Sequence, residues 1–223
     1  MPSPVLLVVG AGPGLGASVA RVFGAQGYDV ALLARSAQKL EELGRSLQEE
    51  SITTGWSALD ITDDAALTEA VTRFGQHSRR IDVLHFNPSA FRQKDPLVLT
   101  ADELLADVRL GVASLLTAVQ AARPFMSSGG RITVTGSMAA DQPWHEAASL
   151  GVQKAGLRNL VRSIDVTLAP DGIRATSLTV RGTLSPDTDF APDLVAQAVY
   201  AVATTASEQW QAEVVYEGKR TRR

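Results

Sequence analysis

Seven residues near the N-terminus, Gly10-Ala11-Gly12-Pro13-Gly14-Leu15-Gly16, place four glycines between an apolar run, Val5–Val9, and a helix-period segment that begins at Leu15. Missing side chains let such a turn tighten and let its backbone approach a pyrophosphate. The N–H groups at the positive end of the following helix then hold the phosphate oxygens. The bland reading of the same residues is an ordinary glycine-rich strand-to-helix turn. A second chemical signal ends the next apolar run, Leu32-Leu33-Ala34-Arg35-Ser36. An acid at that tip would accept hydrogen bonds from a ribose diol and repel a 2′-phosphate, but the chain carries Arg35 and no acid. A guanidinium suits a phosphate dianion through charge-assisted bonds, which favours NADP over NAD; the alternative is a solvated arginine at a strand end.

The elements that must position these residues read off as alternating strands and helices. Val5–Val9, Asp29–Leu33, Trp56–Leu59, Ile81–Phe86, Arg131–Thr135, Ile173–Thr179 and Glu213–Tyr216 are the expected strands. Most are continuously apolar, as parallel strands covered on both faces require. Helical periodicity runs over Leu15–Gln26, Ala37–Glu50, Asp63–Phe74, Ala101–Met126, Ala147–Leu168 and Ala191–Thr204. Thr62-Asp63 and Thr100 offer N-caps, and Pro170-Asp171-Gly172 offers a stop. The order predicts an α/β fold: one Rossmann-type, doubly wound parallel sheet of about seven strands with helices on both faces, residues 1–223 forming a single domain.

Composition narrows the partners. The 223 residues are 45% hydrophobic and 20% charged, ordinary values for a folded globular chain. There is no cysteine, so thiol catalysis and cysteine-ligated zinc are excluded and a reducing cytoplasm is the expected compartment. A net charge of −3 argues against nucleic acid as the main partner. The basic run Lys219-Arg220-Thr221-Arg222-Arg223 reads as a short solvated tail. Val5–Val9 is too short for a membrane span and ends in glycines, so neither a targeting segment nor a membrane partner is expected.

The spacing Gly-x-x-x-Gly-x-Gly of Gly10, Gly14 and Gly16 resembles the short-chain dehydrogenase/reductase family, and the resemblance runs nearly end to end. Val9 stands where that family usually has Thr. Leu59-Asp60-Ile61-Thr62 is similar to the family's acidic motif after the third strand, where the Asp meets adenine; spacing alone suits a capping role for Asp60 equally well. Phe86-Asn87-Pro88-Ser89 replaces the usual Asn-Asn-Ala-Gly, retaining only Asn87. The resemblance thus implies cofactor contacts from Gly10, Gly12, Pro13, Gly14, Leu15, Gly16, Arg35, Ser36, Asp60, Ile61, Asn87, Pro88, Lys154 and Thr183.

Family members that transfer hydride use Asn, Ser, Tyr and Lys, the Tyr phenol being the acid/base. The strand Arg131–Ser137 matches the segment that delivers the Ser, which implies that role for Ser137. Ser149-Leu150-Gly151-Val152-Gln153-Lys154 matches the Tyr-x-x-x-Lys helix and implies Lys154 as the lysine. The tyrosine position, however, is Leu150, and the Asn position within Asp107–Gly111 is Arg109. Leucine has no ionisable proton, and a positioned proton donor typically contributes about 10²–10⁴-fold. Tyr28, Tyr200 and Tyr216 belong to other elements. His145, Glu146, Ser149 and Arg109 are the nearby substitutes, each also readable as an ordinary loop or surface group. Val180-Arg181-Gly182-Thr183 alters the family's Pro-Gly segment, and the stretch from Leu184 to Pro192 is short for a substrate lid.

Three functions follow as alternatives: an NADP(H)-dependent oxidoreductase on a carbonyl or alcohol with a non-standard site, a redox-silent NADP-binding sensor or partner protein, or a non-redox isomerase or cyclase. The substrate is a small or carrier-bound molecule. The resemblance further implies a homodimer or homotetramer paired through Ala101–Met126 and Ala147–Leu168.

Overall fold

Seven strands are hydrogen-bonded side by side in a computed structural model that describes residues 2–218; the basic run 219–223 lies outside the described residues. The strands are β1 (Val5–Val9), β2 (Asp29–Ala34), β3 (Thr54–Ala58), β4 (Val83–Phe86), β5 (Arg131–Ser137), β6 (Arg174–Val180) and β7 (Glu213–Tyr216). Their order is β3-β2-β1-β4-β5-β6-β7 and every neighbouring pair is parallel. The helices are α1 (Leu15–Gly24), α2 (Ala37–Glu49), α3 (Asp64–Ser78), α4 (Ala101–Val108), α5 (Ser114–Ala122), α6 (Ala148–Leu168) and α7 (Pro192–Ala203). One face of the sheet buries Leu6, Val8, Leu32 and Val30 with Phe23, Leu40 and Val199 of α1, α2 and α7. The other buries Leu7, Val9, Leu84 and Phe86 with Val71, Leu115 and Leu157 of α3, α5 and α6. A parallel sheet needs this double cover, which accounts for the continuous apolar runs in its central strands.

The boundaries have local causes. Asp63 alone caps α3, its Oδ1 accepting from Ala65 N and Ala66 N at 3.0 Å each. Thr62 instead turns its hydroxyl onto Asp60 at 2.8 Å. Thr100 and Glu103 form a reciprocal capping box at α4. Gly172 adopts φ +74° after Pro170-Asp171 and turns the chain into β6. β4 begins two residues later than expected: Ile81 N turns to Phe125 O at 2.9 Å, Asp82 bonds Val5 O and Arg131 N through its backbone, and the paired register starts at Val83. β3 begins two residues earlier, with Thr54 already paired to Val30.

The expected single helix Ala101–Met126 is interrupted. A π-helical turn, Arg109–Ala113, separates α4 from α5, and a 3₁₀ turn, Arg123–Phe125, ends the stretch. A Cβ on Gly111 would collide with the Gln153 side chain of α6. That close approach of two helices explains a glycine here, and π turns of this kind concentrate near functional sites. Residues 101–125 are long and apolar enough to cross a membrane by length and composition alone. Here Leu115, Ala118, Val119 and Ala122 are buried in the core.

At Gly16 a Cβ would lie 2.8 Å from Gly10 O and 2.9 Å from the Ala11 Cα, both fixed backbone. Gly16→Ala is therefore expected to push α1 off β1 and to destabilise the fold by about 1–3 kcal/mol, lowering Tm by roughly 3–10 °C in thermal denaturation.

Candidate cofactor and substrate cleft

The chain leaves β1 for β2 on one side and reaches β4 on the other, so a crevice opens at the carboxyl ends of β1 and β4. Open α/β sheets bind ligands at this switch point. Gly10 N and Ala11 N both donate to Leu33 O, at 2.8 and 3.0 Å, and Gly12 N turns back to Gly10 O at 2.9 Å. Gly10 has φ +87°, a left-handed backbone that L side chains rarely adopt. Gly12 and Gly14 differ from Gly10 and Gly16, for a Cβ on either would meet nothing within 4 Å. Their missing side chains leave open space in the cleft, a cradle that a Cβ would begin to fill. Gly14 is the N-cap of α1 and no side chain caps it; Ala17 N donates back to Gly12 O at 3.0 Å, which leaves the N–H groups of Leu15 and Gly16 to face an approaching anion.

The cleft has two compartments that share Gly12, Asn87 and Ser89. The first, about 340 Å³, is lined by Gly10, Ala34, Arg35, Ser36, Ile61, Pro88 and Leu110 as well. Arg35 is exposed and, among the described residues, has neither a hydrogen bond nor a salt bridge. Ser36 also caps α2, its hydroxyl accepting from Lys39 N at 3.4 Å. Asp60, the expected base contact or cap, is engaged within its own turn. Its Oδ1 accepts from Thr62 N at 2.9 Å and from the Thr62 hydroxyl at 2.8 Å, so it closes its own turn and lines neither compartment. Those bonds, led by the Thr62 backbone N–H and aided by the nearby Arg35 charge, hold its carboxyl below the ordinary range. Pro13 is exposed on the outside of the turn and lines neither compartment.

The second compartment, about 500 Å³, brings together Gly14, Leu15 and Gly16 of the turn, Ser137 at the end of β5, Leu150 and Lys154 on α6, and Thr183 beyond β6. Ser137 Oγ accepts from Ala139 N at 3.2 Å, which leaves its own hydrogen free to donate into the cavity. Lys154 is buried and donates to Thr135 O at 2.9 Å. Removal from water pushes its ammonium down to about 8. The Thr135 hydroxyl donates to Asn87 Oδ1 at 2.8 Å, and Asn87 Nδ2 donates to Gly10 O at 3.1 Å. Lysine, β5, β4 and the glycine turn are thus one connected series. Leu150 forms a half-buried apolar wall in the tyrosine position.

The substitutes for a phenol that the sequence offered do not reach this cavity. Ser149 is fully buried and donates to Asp107 Oδ2 at 2.7 Å. Arg109 points away, binding Thr62 O at 3.0 Å and Asp64 at 2.7 Å. Glu146 accepts from Trp144 Nε1 at 3.2 Å, and His145 lines a separate apolar groove beside α4. Tyr28 and Tyr200 pack edge-on against Phe23 in the core, and Tyr216 donates to Asp189 O at 2.7 Å. Of the short stretch after β6, only Gly182, Thr183 and Leu184 line the cavity.

Several lining groups were not among the expected cofactor or catalytic residues. Ser89, Phe91, Thr135, Val180 and Leu184 complete the second compartment. Gln153, fully buried, brackets the backbone of Ala90 with Oε1 accepting from N and Nε2 donating to O, both at 3.0 Å. Arg92 forks onto Asp107 with two bonds of 3.0 Å, and this guanidinium holds the Asp107 carboxyl below its usual range. These contacts fix the segment between β4 and α4 that walls the cavity.

The geometry defines an α/β protein with a glycine-turn cleft at the switch point of its sheet and Leu150 as an apolar wall of the second compartment. Residues 4–194 match the family model of the short chain dehydrogenases, and the chain belongs to that family. It is 27% identical over 216 residues to an uncharacterized oxidoreductase of Staphylococcus saprophyticus, spanning 89% of this chain and 90% of that protein. It is 31% identical over 189 residues to trans-4-hydroxycyclohexanecarboxylate dehydrogenase of Sinomonas cyclohexanicum, spanning 78% of this chain and 70% of that one. The solved structure of a metagenomic short-chain oxidoreductase in complex with NADP superimposes with a TM-score of 0.85 over 97% of both chains, at 24% identity.

The residues present fit the family's NAD(P). Gly12→Ala tests the cradle without touching the fold: Tm is expected to stay at the wild-type value while the Kd for NADPH, read by nicotinamide fluorescence, rises at least about tenfold, ~1.4 kcal/mol.

Proposed function

We propose that the protein is an NADP(H)-dependent oxidoreductase acting on the carbonyl or alcohol of a small or carrier-bound substrate. The observation that carries this reading is the meeting of Ser137 and Lys154 with the glycine turn in one cavity. Ser137 would donate to the substrate oxygen. Lys154, with three N–H donors and only one given to Thr135, would hold the hydroxyls of the nicotinamide ribose. When bound, the nicotinamide supplies or takes up a hydride at the substrate carbon. The apolar wall of Leu150 and Val180 keeps that face of the cavity from water. Few residues close over the site, which suits a bulky or tethered substrate.

NADP is preferred to NAD on the strength of Arg35, an unpartnered guanidinium lining the first compartment beside Ala34 where an acid would otherwise bind a ribose diol. Exposed apolar side chains on the paired helices, Leu105 and Leu116 with Val152 and Val166, support a homodimer or homotetramer formed through α4, α5 and α6. The cytoplasm is the compartment we assign, on the absence of cysteine.

Leu150 favours a second reading, a redox-silent NADP-binding protein, because it offers no proton donor while the glycine turn, Arg35 and Lys154 still line the cleft. Turnover of NADPH on a carbonyl panel by the wild type and by Leu150→Tyr separates the two. The oxidoreductase reading expects measurable wild-type turnover, raised about 10²–10⁴-fold by the new phenol. Binding without wild-type turnover, and turnover gained only on substitution, is the outcome that defeats it. For the cofactor, Arg35→Asp is expected to weaken NADPH at least about tenfold while NADH changes little or improves; equal loss of both would remove the role given to Arg35.

A further inference from the structure

Lys154 is the one ionisable side chain among the described residues lining the second compartment; the rest of its polar lining is hydroxyl, amide and backbone. It stands four residues after Leu150, on the same face of α6. A phenol at position 150 would stand beside the ammonium in that cavity. A leucine puts no proton there. The substitutes on neighbouring elements are engaged or lie elsewhere, as described above.

The charged groups around Lys154 leave its proton uncontested. On β4, His85 sits 3.4 Å from the Thr135 hydroxyl, fully buried and held neutral by burial at about 3. On β5, the lysine meets only the Thr135 carbonyl. Between β4 and α4, Arg92 and Lys94 are paired with Asp107 and Glu103. One turn further along α6, Arg158 is paired with Asp141 and with Glu213 of β7. Beyond β6, Arg181 is paired with Glu217. The glycine turn contributes no ionisable group.

We infer that Lys154 is itself the proton donor of this protein's reduction, a role that rests on the oxidoreductase reading above. With a reduced nicotinamide dinucleotide held in the cleft, the carbonyl carbon would receive its hydride, the nicotinamide being oxidised, while the C=O π pair moves onto oxygen. An N–H bond of the Lys154 ammonium breaks and an O–H bond forms, giving the alcohol and a neutral amine. Solvent then returns a proton to the amine. Burial brings the ammonium to about 8, near the working pH, where a general acid is both protonated and able to give its proton up. The sign follows: reduction needs the ammonium and is lost as pH rises through about 8, whereas alcohol oxidation needs the amine and rises over the same interval.

The test combines the pH profile of kcat/KM for NADPH-dependent aldehyde reduction, NADPH binding by fluorescence, and competitive acetic anhydride labelling of Lys154 read by mass spectrometry. The expected result is one midpoint near pH 8 in both the profile and the labelling. Lys154→Arg keeps the charge and its donors but cannot release a proton at this pH, so it is expected to bind NADPH within about fivefold of wild type and to lose reduction by about a hundredfold or more. In Leu150→Tyr, which tests the same point without altering Lys154, the alkaline limb is expected to leave pH 8. Lys154→Arg turning over within threefold of wild type, or a profile limb that Leu150→Tyr leaves in place, overturns the role of Lys154 while the oxidoreductase reading stands. Wild-type protein that binds NADPH and never turns over fails that reading first, and the role of Lys154 with it.

Discussion

The hydrogen bond from Asn87 Nδ2 to Gly10 O joins the ends of two strands separated by 77 residues, across the fork where the chain divides around β1. Parallel strands leave their terminal backbone groups without a ladder partner at such a fork, and this protein fills the gap with side chains and tight turns. Gly10 can close its turn only at positive φ, Pro88 packs against it, and Asn87 then passes the connection through the Thr135 hydroxyl to the strand that carries Lys154. Loosening that joint would separate the phosphate cradle from the lysine. The Asn87 side chain thus works beside the backbone bonds from Asn87 N to Val9 O and from Gly10 N to Leu33 O in setting the positions of both compartments.

Holding a dinucleotide and using it are separable in this architecture because they draw on different elements. The cradle comes from the backbone of the turn before α1 and from the tips of β2 and β4, with the Arg35 side chain at its edge. The chemistry comes from β5 and α6, where a single side chain decides whether a phenol is present. Exchanging a phenol for leucine at position 150 leaves a half-buried apolar wall there. The same exchange transfers the whole acid–base burden to the buried lysine one turn away. No such freedom exists at Gly16, where the backbone of the turn itself is in the way.

Much of this was legible in the sequence. β1 and β7 begin and end where their apolar runs do, and α1, α2 and α6 start within one residue of their expected starts, because turn and cap chemistry is local. The glycine turn is read from its own spacing at a strand-to-helix junction, whereas the roles of Ser137 and Lys154 come from the family resemblance. What sequence reasoning missed is held by partners far along the chain. Gln153 brackets Ala90 across 63 residues, and Ser149 reaches Asp107 across 42. Helical periodicity over 101–126 gave no sign of the π turn at Arg109–Ala113, which answers to the closeness of α6 instead of to local propensity. Asp60 reads in the sequence as a base contact or a cap; its Oδ1 accepts from Thr62 two residues away, while Asp63 caps α3.

The central claim is that this cleft uses the dinucleotide as well as holding it. Deuterium transfer tests this most directly: the protein is incubated with NADPH deuterated at the nicotinamide C4 and a panel of aldehydes and ketones, and the alcohols are analysed by mass spectrometry. The account predicts an alcohol carrying one deuterium on carbon, formed only when the protein is present. NADPH bound stoichiometrically with no deuterium reaching any product would contradict it.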